Sequence, residues 1–110
     1  METPQLNSFE LIVVKDEVIS TLRTVYDPEI PVDIYELGLV YEVKVEPDGR
    51  AEITMTLTSP MCPAAQSLPP EVKEKVESVK GITHAEVNVV WDPRWDPSMM
   101  TEAAKLALNM

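Results

Sequence analysis

A chain of 110 residues holds one small domain and leaves no room for a two-domain enzyme. With 45% hydrophobic and 25% charged residues it has the composition of an ordinary globular domain, which excludes wholesale disorder or a fibrous repeat. Nine Lys and Arg against nineteen Asp and Glu leave a net charge of -10, which repels nucleic-acid phosphates and anionic lipid, so neither nucleic acid nor membrane is expected as a partner.

The opening residues METPQLNS carry no basic start and no small-residue cleavage site, and the apolar run Leu11 to Val14 is too short for a signal or a span, so a cytoplasmic, soluble protein is expected. Leu11, Val14, Val18, Leu22 and Val25 recur every three or four residues, which predicts an amphipathic helix capped by Asn7 or Ser8. Pro28 disfavours helical geometry at Asp27, so this helix should end by Tyr26. From Leu39 the period becomes two: Tyr41, Val43 and Val45 alternate with Glu42, Lys44 and Glu46. Pro47, Asp48 and Gly49 turn the chain into Ala51, Ile53, Met55 and Leu57, alternating with Glu52, Thr54, Thr56 and Thr58, which predicts an antiparallel hairpin. A second helix is expected within Ala64 to Val79, split by Pro69 and Pro70 and stopped by Gly81. Ala85, Val87, Val89 and Trp91 form a third alternating strand, and Thr101 to Leu108 a short closing helix. The order α-β-β-α-β-α describes an α+β two-layer sandwich with a small three-stranded sheet, one domain over residues 1–110.

The irregular segments Asp27 to Gly38, Ser59 to Pro63 and Trp91 to Pro97 are where function is expected in so small a domain. The single cysteine, Cys62, can form no disulfide within the chain and no multi-thiolate zinc site, which fits a reducing compartment. It lies between a strand end and a helix start, where the helix field favours thiolate, hence metal binding or nucleophilic attack; equally, cysteine is a small hydrophobe often found buried. Asp27, Glu29, Asp33, Glu36 and Glu42 fall in a stretch without Lys or Arg, which either attracts a cation or basic partner or is a solvated acidic loop. Trp91, Arg94 and Trp95 either anchor a partner protein or form a lid over the core. Nothing ties the single histidine, His84, to Cys62. Three glycines make no phosphate-cradling loop, and the G-x-x-G loop of RNA-binding KH domains, whose element order is similar, is missing.

Three motifs in order, DPEIPVDIYELGLVY from Asp27, MTLTSPMCPAA from Met55 and WDPRW from Trp91, resemble the SufT and PaaD-like family. That family belongs to the iron-sulfur cluster assembly domain group and is related to the targeting subunit of the eukaryotic cytosolic iron-sulfur machinery. The resemblance, covering roughly Lys15 to Ala104, implies an accessory factor that carries clusters or helps deliver them, without turnover chemistry. Its implied partners are iron-sulfur scaffold or carrier proteins and apo client proteins. It further implies that the D-P-E and T-x-P-x-C-P segments converge on one site, here Asp27, Glu29, Thr58, Ser59 and Cys62. PaaD-type members serving the phenylacetyl-CoA epoxidase are generally longer and carry further cysteines, so the short SufT type is expected, with an epoxidase maturation factor as the alternative.

A cluster usually needs four thiolates, whereas one chain supplies one and a homodimer two. No stably bound cofactor is therefore expected. Either carboxylates and partner ligands complete a transient cluster site with Cys62 as a metal ligand, or the protein is an adaptor that never binds the cluster. Two readings from other classes stay open: a small cysteine-nucleophile enzyme with Cys62 activated by the helix terminus and by His84 or a carboxylate, and an interaction module with an inert, buried Cys62.

Overall fold

A computed structural model describes residues 5–27, 30–58 and 64–108, with the backbone alone for 64–66. Helix α1, Ser8–Leu22, starts on a capping box: the Asn7 carboxamide oxygen accepts the Glu10 N–H at 2.8 Å and the Glu10 carboxylate accepts the Asn7 N–H at 3.0 Å. These two bonds satisfy donors that the helix itself leaves open and offset the low propensity of the β-branched run Ile12 to Val14. Val14, Val18 and Leu22 form the buried stripe, and the helix closes at Leu22, ahead of the Tyr26 limit set by Pro28.

Strands β1, Val40–Val45, and β2, Arg50–Met55, pair antiparallel with Val43 opposite Ile53 and Val45 opposite Ala51, and the register shifts between Val40 and Glu42. Gly49 makes the turn at φ 92°, where a Cβ would stand 2.7 Å from the Gly81 carbonyl oxygen, so only glycine fits there. The third strand, β3, His84–Val89, runs parallel to β2 from Arg50 opposite His84 to Met55 opposite Val89, giving a mixed sheet in the order β1-β2-β3. Parallel pairing requires a crossover, and helix α2, Ala64–Glu77, provides it. Trp91, expected at the end of the third strand, falls beyond β3.

Pro69 and Pro70 do not split the second helix as expected: α2 runs through both. Each proline removes one backbone donor, but Leu68, Val72 and Val76 are all buried, and this apolar stripe anchors the helix through the gap in its hydrogen-bond ladder. Nor does Gly81 end α2, which closes at Glu77. Gly81 instead shapes the turn into β3 at φ 100°, where a Cβ would meet Val14 of α1 at 2.9 Å. On β2 the side chains of Ala51, Ile53 and Met55 are buried, while Glu52 and Thr54 between them are partly exposed. Helix α1 packs on β1, α2 on β3, and the two helices on each other. Leu22, Ile34, Leu37, Leu39, Ile53 and Leu68 are the largest aliphatic side chains removed from water, each contributing roughly 1.5–3 kcal/mol.

The chain after β3 makes a short 3-10 turn, Pro97–Met99, and helix α3, Glu102–Ala107, capped by Thr101. Met100 and Ala104 are buried, which docks this C-terminal segment on the core.

Candidate functional site

The segment after α1 is fixed by its own carboxylates. Tyr26 and Asp33 form an isolated antiparallel bridge, and the Asp27 N–H donates to the Val32 carbonyl at 3.3 Å. Asp27, 4% exposed, accepts the Ile30 N–H on Oδ1 at 3.1 Å. Asp33, also buried, accepts the Glu36 N–H on Oδ2 at 3.0 Å and opens the turn through Leu37. Short carboxylates favour such positions because they reach nearby backbone donors in turns. The loop is therefore not merely a solvated acidic surface.

Longer-range ties complete it. The Glu36 carboxylate accepts from the Thr101 hydroxyl and lies 3.8 Å from Arg23 Nε, and the Thr101 N–H donates to the Glu36 carbonyl. The Arg23 guanidinium also sits 4.9 Å from the centre of the Tyr35 ring, a cation-π distance. Thus the stretch without basic residues receives a cation from the end of α1. At its far end the loop meets the exit of β2, where the Thr56 N–H donates to the Leu39 carbonyl at 2.8 Å. Thr56 and Leu57 are buried and Thr58 is half-buried, and the chain then enters 59–63. Of the five residues expected to form the site, Asp27 and Thr58 are described; Glu29, Ser59 and Cys62 lie outside the described residues.

The C-terminal segment braces the same end. The Trp95 indole N–H donates to the Leu37 carbonyl at 2.8 Å, and its half-buried ring packs against the core. Trp91, 47% exposed, and Arg94 face solvent. The Tyr41 hydroxyl donates to the Pro93 carbonyl at 2.7 Å. Burial pushes its pKa up, the Thr56 hydroxyl pulls it back, and the Asp92 carboxylate adds to the rise. Asp96 caps the 3-10 turn, and the Ser98 hydroxyl and N–H hold its carboxyl below the usual range. Tyr41 was legible only as one position of an alternating strand, because its partners Pro93 and Met99 lie far along the chain.

His84 stands at the other end of β2, paired with Arg50. Its Nδ1 lies 3.5 Å from Glu77 Oε2 and its Nε2 3.8 Å from Glu86 Oε1. Among the described residues no three His, Cys, Asp or Glu side chains form a group able to hold a metal ion, and no helix is long and apolar enough to cross a membrane.

This α+β domain with its mixed sheet carries the D-P-E and T-S-P-M-C-P motifs on either side of its hairpin, the pattern that resembles cluster-assembly domains. Residues 15–89 match the family described as iron-sulfur cluster assembly protein, and the chain belongs to that family. It is 48% identical over 100 residues to a Porphyromonas gingivalis protein named Fe-S protein maturation auxiliary factor, covering 91% of this chain and 95% of that one. It is 43% identical over 86 residues to the Staphylococcus aureus Fe-S protein maturation auxiliary factor SufT, covering 78% of this chain and 98% of the relative. Among solved structures, the crystal structure of a domain of unknown function, DUF59, from Bacillus anthracis superimposes with a TM-score of 0.86 at 40% identity, over 94% of this chain and 99% of that one.

Proposed function

We propose that the chain is an accessory factor in the maturation of iron-sulfur proteins, acting through contacts with carrier or scaffold proteins and apo clients, with the cluster as cargo. The relatives named as maturation auxiliary factors support this role. The observation that carries the site reading is the bond between Leu39, at the end of the Asp27 loop, and Thr56, at the strand exit that leads to Cys62. It ties the chain that follows the Asp27 loop to the chain that precedes Thr58, which supports a shared site for Asp27, Glu29, Thr58, Ser59 and Cys62. One thiol per chain makes Cys62 a single, exchangeable ligand whose remaining partners come from carboxylates or another protein. Trp91 and Arg94, exposed beside the braced Trp95, offer contacts to such a partner. The position of His84 opposite Arg50, at the other end of β2 from Thr58 and with its nitrogens near Glu77 and Glu86, favours an adaptor over an enzyme that uses His84 as its base.

Replacement of Cys62 by Ser tests the assignment. The expected result is a loss of iron-sulfur client activity in cells carrying Cys62→Ser, with a stability change under about 1 kcal/mol by thermal unfolding of the purified protein. Unfolding of the variant, or full client activity, overturns the site reading.

A further inference from the structure

Helix α1 carries more apolar surface than the core uses. Opposite the buried stripe, Phe9 is 74% exposed, Ile12 70% and Val13 43%. Single exposed hydrophobic residues need no explanation, but three within two helical turns form a patch. Beside them runs a groove of about 510 Å³ with Leu6, Phe9, Val13, Val14 and Gly81 as its apolar lining. Its charged lining is uneven: α1 contributes Glu10 and Glu17, and the turn after α2 contributes Lys80. Asp16, exposed on the same helix, adds a third carboxylate next to the patch.

We propose that this groove docks an amphipathic segment of a partner protein, its apolar side chains filling the groove and its Lys or Arg side chains meeting Glu10, Asp16 and Glu17. Charge decides among occupants. A second copy of this chain brings another -10, and a two-fold contact sets the same acidic rim against itself. A basic, apolar segment gains from both features of the groove.

The groove lies at the hairpin-turn end of the molecule. The Leu6 N–H donates to the Pro47 carbonyl, and Gly81 abuts Gly49. Thr58 follows the opposite end of β2, so a segment held on α1 leaves the end that carries Asp27 and Thr58 open, as an adaptor requires. The docking surface itself does not rest on the Cys62 reading.

The test uses the purified chain and two fluorescent helical peptides of equal length, one of Leu and Lys and one of Leu and Glu in the same amphipathic spacing, followed by anisotropy. The Leu/Lys peptide is expected to bind saturably and more weakly at high salt, and the Leu/Glu peptide not to bind. Phe9→Ser should weaken binding about tenfold by removing one apolar anchor, and Glu17→Lys should weaken it without lowering the melting temperature. Absence of Leu/Lys binding, equal binding of both peptides, or an affinity indifferent to Phe9→Ser overturns the proposal. So does sedimentation showing a stable dimer that Phe9→Ser dissolves, since the groove is then covered by a second copy.

Discussion

Glu77 joins the crossover helix to the third strand: its Oε2 accepts from Lys73 Nζ at 2.7 Å and from the Ala85 N–H at 3.1 Å. The Lys73 hydrogen bond, then the Ala85 amide, hold its carboxyl below the ordinary value of 4.5. A carboxyl depressed on folding contributes stability that is complete above that value and lost as pH falls through the lower folded one. Glu77→Gln should therefore destabilise the protein near neutrality, with the difference from the parent shrinking as the solution is acidified below 4.5, measured by urea unfolding across pH. Tyr41 has the opposite sign. Its raised pKa contributes stability present below the ordinary value of 10.0 and lost as pH rises beyond it. Tyr41→Phe should cost about 1 kcal/mol at neutral pH, for the bond to Pro93, and remove that alkaline loss, read from unfolding on either side of the tyrosine range. Residues whose partners are close in sequence were legible in advance: Asn7 as a cap, and Gly49 as a turn. Arg23 beside Glu36, Thr101 on Glu36 and Trp95 on Leu37 were not, because nothing local shows which distant segment a polar side chain will meet.

The loop from Asp27 and the C-terminal segment approach each other closely at Gly38, which has no side chain. Gly38 stands at φ 81°, and a Cβ there would come within 2.4 Å of the Met99 carbonyl oxygen. Gly38→Ala meets both a left-handed backbone and a collision, and should cost about 2–4 kcal/mol. Hydrogen exchange gives the location: the Thr101 amide, donated to Glu36, should exchange faster while the β1-β2 amides stay protected. Elements with a strong local period, α1 and the hairpin, were readable from alternation and spacing. The unbroken α2 was not, because the penalty of Pro69 and Pro70 is local whereas the burial of Leu68, Val72 and Val76 that outweighs it is tertiary. At the site, the D-P-E loop was readable as a stiff acidic segment. The inward turn of Asp27 and Asp33 depends on the Tyr26 to Asp33 bridge, which no periodicity announces.

Over the whole molecule, a net charge of -10 means that the compact state works against its own repulsion. Added monovalent salt should raise the melting temperature by a few degrees before the effect saturates, since the Debye length falls to about 8 Å at physiological ionic strength. Calorimetry between low and moderate salt measures it. The sheet's connectivity also fixes an order of events in time. Val45 and Ala51 face each other across one turn, whereas Arg50 and His84 meet only after the α2 crossover has closed. Closing the longer loop costs more chain entropy before any contact rewards it, so the hairpin should be formed in the folding transition state and β3 added afterwards. Val43→Ala should then slow refolding, while Val87→Ala, on β3, should chiefly speed unfolding, in stopped-flow chevrons. A nascent chain released before β3 has been made would present β2 with one side unpaired, the state in which a sheet edge recruits strands from its neighbours.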